Sequence, residues 1–321
     1  SSSSSSSSSS SWMSCFTSSS SLSSKSCQLP SHLPRTSCSP QIVHSLDSLD
    51  DINLHEKYKL IVSLGGDDFF KMVASRIINT GITKVQPQSN TRRSSSHSNL
   101  LVLGVNSDPA TSRGALLPVH VQDFPRIMEQ LEQGQYTTEQ WTRIQVKVMN
   151  NTPPAAAGGT TTTTTTVGGP ALNDVFVGQG DSRQMSKHQI VYRGEKEYHQ
   201  GSGLLVSTGT GSTGWFASAG LYLKNNETKD KDASSTSFSK SAPFLKFVVR
   251  EPLWCSPPQQ NNLPKWTSGT IHSQETVRIV SLNDEDGIIS CDSIDRIPFP
   301  RGSIADISIH PSPLSVVLPI V

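Results

Sequence analysis

The stretch Leu60–Ser75, which reads LIVSLGGDDFFKMVAS, constrains the fold of this chain more than any other. Its first five residues, Leu60–Leu64, form a short and mostly apolar run that is typical of a buried parallel strand. Gly65 and Gly66 interrupt this run, and apolar residues then recur at the spacing of an α-helix. The stretch therefore predicts a strand, a tight glycine turn and a helix, in that order.

Two carboxylates, Asp67 and Asp68, stand where the predicted turn becomes a helix. Glycines at such a turn allow a ligand to approach the backbone, and the free N–H groups at the start of a helix favour phosphate. A carboxylate in this position can cap the helix, hold a metal ion or take a proton. The residue pattern alone leaves these roles open.

A second buried strand, Leu100–Val105, leads into the polar segment Asn106–Pro118. Open α/β sheets bind ligands beyond the carboxyl ends of their strands, so this segment is a candidate for ligand contact. An ordinary Asp-Pro turn is the alternative. Helical periodicity over Phe124–Leu131, ending near Gly134, completes an α/β portion.

Beyond this α/β portion, apolar residues alternate with polar ones, and short strands separated by turn residues follow to the C-terminus. This pattern predicts a β-rich second domain. We therefore divide the chain into a Ser-rich tract at 1–45, an α/β domain at 46–135 and a β-rich domain at 136–321. Low-complexity insertions interrupt the β-rich domain near 151–170 and 225–241.

The Ser-rich tract contains no Asp or Glu, which is typical of organellar transit segments. A disordered tract, with upstream residues missing because residue 1 is not Met, is the alternative. The first interpretation predicts a mitochondrial or plastid protein, and the second predicts a cytoplasmic one.

Composition excludes several classes of protein. The formal net charge of +1 gives no basic excess for a nucleic-acid partner. No apolar run approaches the ~20 residues of a membrane span. The five cysteines form neither a metal-binding spacing nor a disulfide framework, which indicates a reducing compartment.

The segment Gly209–Gly214 matches the G-x-G-x-x-G pattern of dinucleotide-binding loops and follows a predicted strand, Leu204–Ser207. It lies in the β-rich half, however, and the first acidic residue within reach, Glu227, falls in a low-complexity insertion. A Rossmann dehydrogenase is therefore disfavoured. The loop still offers hydroxyls and backbone amides to a nucleotide.

Asn173 and Asp174 combine an amide with a carboxylate in a predicted strand, Ala171–Val177. Adjacent strand residues face opposite sides, so at most one of the two contacts a given ligand unless the strand ends there. The histidines show neither a catalytic-triad order nor a metal-binding spacing, and we interpret them as structural or solvent-facing. His188 and His199, which flank a predicted hairpin, are the two nearest the candidate site.

Taken together, these stretches resemble the ATP-NAD kinase family, in the family's order along the chain. Leu64–Asp68 resembles the GGDG turn, Ala171–Val177 resembles the A-L-N-E-V strand, and Ser202–Trp215 resembles the D-G-L-I-x-x-T-P-T-G-S-T-A-Y segment. Leu103–Pro109, together with Ser202 where most members carry Asp, is similar to the mitochondrial-type branch. Four motifs in register make the resemblance specific.

The resemblance implies an ATP-dependent NAD kinase, which transfers the γ-phosphate of ATP to the adenosine 2′-hydroxyl of NAD and makes NADP. It also implies an α/β domain bearing the GGD turn, followed by a β-sandwich domain. Asp67 would be the catalytic residue that orients or deprotonates the hydroxyl. Substrate contacts would come from Gly65, Gly66, Asp68, Asn106, Asn173, Asp174, Ser202, Thr208, Thr210, Gly211, Ser212 and Thr213.

NAD and ATP are accordingly the expected partners, and Mg²⁺ is expected to accompany ATP without a metal site built by the protein. We expect no nucleic-acid partner, no membrane association and a homo-oligomer.

The chain departs from the family pattern in three ways. Asp68 replaces the last glycine of GGDG, and an uncompensated carboxylate ~4 Å from a phosphate costs about 4 kcal/mol. Asp174 is one methylene shorter than the family's Glu. The family's first strand and helix have no clear counterpart between Gln41 and Glu56, so the α/β domain is predicted to be truncated. The alternatives are a catalytically impaired NAD-binding homologue and a kinase for another hydroxyl acceptor, such as a lipid.

Overall fold

The structure is a computed structural model, and it describes residues 13–17, 41–43, 58–77, 100–152, 162–181, 183–224, 237–253, 265–284 and 286–320. The sequence also indicates a polar, serine-rich insertion at Gln86–Asn99, between the first two predicted strands. It lies outside the described ranges, as do the centres of both predicted low-complexity insertions.

The strands, in chain order, are β1 (Met13–Thr17), β2 (Gln41–Val43), β3 (Leu60–Gly65), β4 (Leu101–Asn106), β5 (Val119–His120), β6 (Tyr136–Trp141), β7 (Ile144–Thr152), β8 (Thr162–Val167), β9 (Asp174–Gln179), β10 (Ser186–Tyr192), β11 (Glu195–Gly201), β12 (Gly203–Ser207), β13 (Phe244–Arg250), β14 (Ser268–His272), β15 (Val277–Ser281), β16 (Gly287–Cys291), β17 (Asp295–Pro298), β18 (Ile304–Ile309) and β19 (Leu314–Pro319). The α-helices are α1 (Asp67–Arg76), α2 (Phe124–Glu132) and α3 (Trp215–Lys224), and two short 3-10 helices span Val121–Asp123 and Gly211–Thr213.

The chain forms two compact units. Unit 1 contains Ser1–Gln140 and Leu314–Val321, and unit 2 contains Trp141–Pro313. The division between them falls five residues after the boundary expected from the sequence. The last strand, β19, belongs to unit 1, whereas its sequence position placed it in the β-rich domain.

Unit 1 is built on one sheet with the strand order β2-β1-β3-β4-β19-β6, and β5 also pairs with β4. The pairs from β2 through β19 are parallel. Strands β3 and β4 are apolar along nearly their whole length because both of their faces are covered, as parallel strands require. The apolar face of α2 packs Ile127, Met128 and Leu131 into the core of this unit. The predicted strand, glycine turn and helix at Leu60–Ser75 are confirmed.

Two strands of this sheet come from the serine-rich tract that the sequence predicted to be a transit segment or disordered. Strand β1 pairs with β3 in register, from Met13 opposite Leu60 to Thr17 opposite Leu64, and β2 pairs with β1. The sheet therefore has two further strands before the glycine turn, although neither β1 nor β2 lies in a long apolar run. Such short strands gain their stability from pairing with neighbouring strands rather than from a pattern of their own.

Unit 2 consists of two six-stranded antiparallel sheets, with the orders β11-β10-β15-β18-β7-β8 and β14-β13-β12-β9-β16-β17. One hydrophobic core takes side chains from both sheets, among them Val146, Val206, Phe247 and Ile279. Unit 2 is therefore a β-sandwich, in agreement with the β-rich second domain predicted from the alternating pattern. Helix α3 packs Phe216 against Leu205 and Val248.

Two further predictions can be compared with these elements. Strand β9 begins at Asp174, so Asn173 lies in the turn before it rather than inside a strand. Among the described residues, no helix has the length and apolar character needed to cross a membrane.

Candidate functional site

The Gly65–Asp68 segment, here called the acidic turn, lies at the carboxyl edge of the parallel sheet of unit 1. It connects β3 to α1, and Gly65 pairs in register with Asn106 at the end of β4. The two segments that the sequence selected as ligand candidates are therefore neighbours at one edge of the sheet. This edge is where open α/β sheets bind ligands.

Gly66 is the N-cap of α1 and has an extended backbone, with φ −96° and ψ 179°, which any residue can adopt. A Cβ atom at this position would meet Ser112 Oγ at 3.9 Å, an ordinary contact distance. The local backbone and packing of the described residues therefore do not require glycine here. A glycine that the fold does not require leaves room for a ligand to reach the backbone.

The sequence left helix capping open as a role of Asp67. In the structure Gly66 is the N-cap, and no side chain caps the helix. Asp67 Oδ2 accepts the backbone N–H of Ala115 at 3.0 Å, and its Oδ1 accepts that of Leu116 at 2.9 Å. The half-buried carboxylate thus binds the segment Asn106–Leu117, here called the clamp loop. Each oxygen retains a further lone pair for a hydroxyl donor.

Asn106 holds the clamp loop in shape. Its side chain is buried, its Nδ2 donates to Ser112 O at 3.0 Å, and its Oδ1 accepts the N–H of Asp108 at 3.1 Å. Gly114 follows in the left-handed region, with φ +58°. Asn106 is therefore engaged within the protein, and its predicted contact with a substrate stays a prediction.

We expect Gly114→Ala to detach the clamp loop from Asp67. The added Cβ would lie 2.4 Å from Asn106 Nδ2 in addition to the strain of a left-handed alanine. The free energy of unfolding should fall by about 2–4 kcal/mol, as for an overpacked and strained site. Hydrogen exchange at the Ala115 and Leu116 amides should accelerate.

Gly134→Ala is the matched control, because Gly134 has φ +72° and an added Cβ would meet nothing within 4 Å. It should cost only the backbone strain, about 1 kcal/mol, and leave the exchange of both amides unchanged. Equal exchange rates in the two variants would show that Gly114 does not position the loop.

Asp68 is exposed, and its charge is offset within its own helix. Its Oδ1 lies 2.8 Å from Lys71 Nζ, one helical turn further along, and its side chain is 91% exposed. The carboxylate that replaces the family's glycine is thus ion-paired and directed to solvent. This arrangement lessens the repulsion of a phosphate that an uncompensated Asp68 would cause.

In unit 2, the segment Ser207–Gly214, here called the glycine loop, is bound to the turn Leu172–Asp174, here called the amide turn. Thr208 N donates to Asn173 O at 2.9 Å, and Thr208 Oγ1 donates to Leu172 O at 2.6 Å. The same hydroxyl accepts the N–H of Thr210 at 3.1 Å and of Gly211 at 3.3 Å. Thr208 is therefore the junction between the two segments.

Close packing explains two glycines of this loop. A Cβ on Gly209 would lie 1.8 Å from Ser239 O, and one on Gly211 would lie 2.4 Å from Asn173 O. Ser212 Oγ is also engaged internally, since it donates to Gly209 O at 2.6 Å and accepts the N–H of Phe238 at 3.2 Å. The G-x-G-x-x-G pattern thus has a structural cause in unit 2, outside a Rossmann fold.

Two side-chain oxygens beside this junction are buried without a hydrogen-bond partner in the described part of the chain. They are Asn173 Oδ1 in the amide turn and Thr210 Oγ1 in the glycine loop. Thr213, by contrast, is exposed. Buried polar atoms are nearly always paired, so these two oxygens are candidates for ligand contact.

The amide turn also binds a carboxylate that the sequence analysis did not select. The backbone N–H groups of Leu172, Asn173 and Asp174 point at Asp292, which is 3% exposed. The sequence feature that could have indicated Asp292 is an acidic residue directly after the apolar strand β16. That signal does not reveal which turn the carboxylate serves.

Ser202 directly precedes β12, and the glycine loop begins at the other end of that strand. Ser202 Oγ hydrogen-bonds Glu251 Oε2, and Glu251 pairs with Arg250 at 3.5 Å. The Arg250 guanidinium lies 4.9 Å from the ring centre of Trp215, which is 38% exposed and follows the glycine loop directly. An exposed indole at this place is a second feature that the sequence analysis did not select.

The two histidines that the sequence placed beside the candidate site face each other across the β10–β11 hairpin. His188 and His199 are directly opposite in register, and both are buried. Their rings stack with centroids 5.9 Å apart. They are structural side chains of the sandwich interior, in agreement with one of the two sequence interpretations.

Among the described residues, no group of three or more His, Cys, Asp or Glu side chains is arranged to hold a metal ion. Both oxygens of Asp67 accept backbone N–H groups, and Asp68 is paired with Lys71. This donor set does not fit a Mg²⁺ site built by the protein alone.

No family model and no curated protein matches this chain in sequence. Solved structures do match. A yeast NADH kinase in complex with NADH is 17% identical, with a TM-score of 0.58 over 88% of this chain and 67% of that chain. An NAD kinase from Archaeoglobus fulgidus in complex with ATP is 14% identical, with a TM-score of 0.57 over 95% of this chain and 92% of that chain. The chain therefore has the fold of these NAD(H) kinases.

Proposed function

We propose that the protein is an ATP-dependent NAD kinase that phosphorylates the adenosine 2′-hydroxyl of NAD. The fold carries the proposal, because it is shared with two kinases whose structures hold NADH and ATP. The four motifs in family order support it independently of the fold. The similarity of Leu103–Pro109 and Ser202 to the mitochondrial-type branch extends the proposal to that branch.

In unit 2, the amide turn and the glycine loop would bind the adenosine part of NAD. Asn173 Oδ1 is a hydrogen-bond acceptor and Thr210 Oγ1 is both donor and acceptor, and each is buried without a partner in the described residues. Asp174, at the start of β9, would contact the same part of the nucleotide. Thr208, Gly211 and Ser212 would act mainly by holding these groups in place.

In unit 1, Asp67 would accept a hydrogen bond from the 2′-hydroxyl. The hydroxyl oxygen forms a bond to the γ-phosphorus of ATP, the bond from that phosphorus to the bridging oxygen breaks, and ADP leaves. The hydroxyl proton passes to the Asp67 carboxylate or to solvent. The two N–H groups from Ala115 and Leu116 fix the carboxylate in one orientation, which suits a reaction in which positioning supplies most of the catalysis.

Gly66 would let the phosphates of ATP approach the first turn of α1, where backbone N–H groups favour anions. Mg²⁺ would arrive with ATP and neutralise phosphate charge. We place the ion with the substrate, because ATP supplies the phosphate oxygens that commonly bind Mg²⁺.

The test is NADP formation by the purified chain from NAD, ATP and Mg²⁺, with the product identified by chromatography and by a dehydrogenase specific for NADP. Turnover supports the proposal. Saturable binding of NAD without turnover would instead identify a catalytically impaired homologue, which the replacement of glycine by Asp68 favours. Absence of both binding and turnover would refute the proposal.

We expect Asp68→Gly to lower the KM for ATP about ten-fold, because it removes a carboxylate from the turn that the phosphates would approach. The effect should stay well below the roughly thousand-fold of an unpaired carboxylate at ~4 Å, since Lys71 already offsets the charge. Asp68→Ala separates loss of charge from glycine flexibility. A rise in KM in both variants would make Asp68 a useful ligand rather than an obstacle.

A further inference from the structure

Three backbone N–H groups converge on the buried carboxylate of Asp292. Oδ2 accepts the N–H of Leu172 at 2.6 Å, and Oδ1 accepts those of Asn173 at 2.7 Å and Asp174 at 3.1 Å. A carboxylate accepts hydrogen bonds at both oxygens, and bonds of N–H groups to a charged acceptor are stronger than neutral ones. The amide turn is therefore shaped around this side chain.

The backbone of Asp292 reinforces this arrangement. Its own N–H donates to Asp174 O at 2.9 Å, so contacts run in both directions between the hairpin and the amide turn. Asp292 and Ser293 have φ of +52° and +61°, a left-handed conformation that is unfavourable for residues other than glycine. The hairpin between β16 and β17 holds this conformation with the carboxylate directed at the amide turn.

The influence of Asp292 extends through the amide turn to the glycine loop. The carbonyl groups of Leu172 and Asn173 accept hydrogen bonds from Thr208, whose hydroxyl in turn accepts the N–H groups of Thr210 and Gly211. The two buried oxygens without a described partner, Asn173 Oδ1 and Thr210 Oγ1, lie on the two segments joined in this way.

We propose that Asp292 is a positioning residue for the nucleotide acceptor, because it orders the amide turn from which Asn173 contacts the adenosine part of NAD. This inference rests on the proposed function. It adds a residue that acts through the turn and does not itself touch the substrate. It also predicts that Asp292 affects binding of NAD and leaves the chemistry at Asp67 unaffected.

The experiment compares Asp292→Asn with the wild type by titration calorimetry with NAD and by steady-state kinetics. The asparagine side chain has an NH₂ donor in place of one acceptor oxygen. This donor would face a backbone N–H group, so one hydrogen bond is lost. We expect the Kd for NAD to rise about 10- to 100-fold, the loss typical of a hydrogen bond to a charged group. The kcat at saturating NAD should stay within about three-fold.

Asp295→Asn is the matched control. It removes one negative charge from the same hairpin, and the three backbone N–H groups still donate to Asp292. It should bind NAD as the wild type does. In an Asn173→Ala background, Asp292→Asn should raise the Kd by clearly less than it does in the wild type, because one of the groups that it positions is already absent. A purely structural role would give additive effects.

If Asp292→Asn does not fold, Thr208→Val and Thr208→Ser test the hydrogen bonds by which the Thr208 hydroxyl joins the amide turn to the glycine loop. Valine should weaken NAD binding and serine should restore it. The inference is overturned by an unchanged Kd in Asp292→Asn, or by wild-type binding in Thr208→Val, in a chain that phosphorylates NAD. A wild-type chain that neither binds nor phosphorylates NAD overturns the proposed function as well.

Discussion

Unit 2 is expected to lose about 2 kcal/mol of its free energy of unfolding between pH 7 and pH 5 through His188 alone. Burial lowers the pKa of His188, and the charge of His199 acts in the same direction; together they bring the pKa to about 3. In the unfolded chain this side chain takes up its proton near pH 6.5. The unfolded state therefore binds more protons between pH 6.5 and about 3, and stability falls as the pH falls through that window.

Two more histidines of unit 2 act in the same sense. Burial lowers the pKa of His199, against the opposing effect of Glu197. Burial and the nearby charge of Arg143 lower the pKa of His310 to about 4. Because a whole domain is stable by only about 5–15 kcal/mol, three such groups are enough to make unit 2 sensitive to acid.

Urea unfolding at pH 7, 6, 5 and 4, followed by tryptophan fluorescence, measures this effect. Four of the five tryptophans, at positions 141, 215, 254 and 266, belong to unit 2. Glutamine at position 188 cannot take up a proton. As the pH is lowered, the free energy of unfolding of His188→Gln should therefore decrease less than that of the wild type, by about 1.4 kcal/mol per pH unit. An unchanged slope in His188→Gln would contradict the assignment.

Asp67→Asn is expected to reduce kcat by about 10²- to 10⁴-fold, the range for loss of a positioned acid–base group, while the Kd for NAD changes less than about ten-fold. The amide keeps one acceptor oxygen but presents a donor to either Ala115 or Leu116. It therefore disturbs the orientation that the two N–H groups impose, as well as removing the charge. Single-turnover kinetics with saturating NAD and ATP, beside calorimetric titration of NAD, separates chemistry from binding.

Asp123→Asn is the matched control for this variant. Asp123 is also an acidic residue at the start of a helix in unit 1, and it pairs with Arg126 at i+3, at 3.6 Å. Its turnover should equal that of the wild type. Retained turnover in Asp67→Asn would remove Asp67 from the mechanism, and loss in both variants would indicate a general effect on unit 1.

Much of the fold could be predicted from local patterns. The Leu60–Leu64 run, the two glycines and the helical spacing after them specify strand, turn and helix within sixteen residues. Likewise, Phe124–Leu131 predicted α2, and the alternation in the second half predicted a β-sandwich. These patterns are readable because secondary structure and burial follow periodicities of two and 3.6 residues.

The partners of the candidate site residues could not be predicted in this way. Asp67 binds amides 48 and 49 positions further along the chain, and Asp292 binds amides about 120 positions earlier. The side-chain amide of Asn106, which the sequence selected for substrate contact, also holds the clamp loop through partners that its sequence position does not indicate. Gly209 and Gly211 have neighbours that only the folded chain supplies.

The sequence by itself determined the glycine turn with its strand and helix, α2 and the β-rich character of the second half, because these depend on near neighbours along the chain. Only the tertiary structure decided that β19 joins the sheet of unit 1 and that a buried Asp292 shapes the amide turn. The physical reason is that long-range hydrogen bonds and close backbone contacts depend on which segments meet in space. The periodicity of apolar and polar residues along the chain does not indicate which distant segments meet.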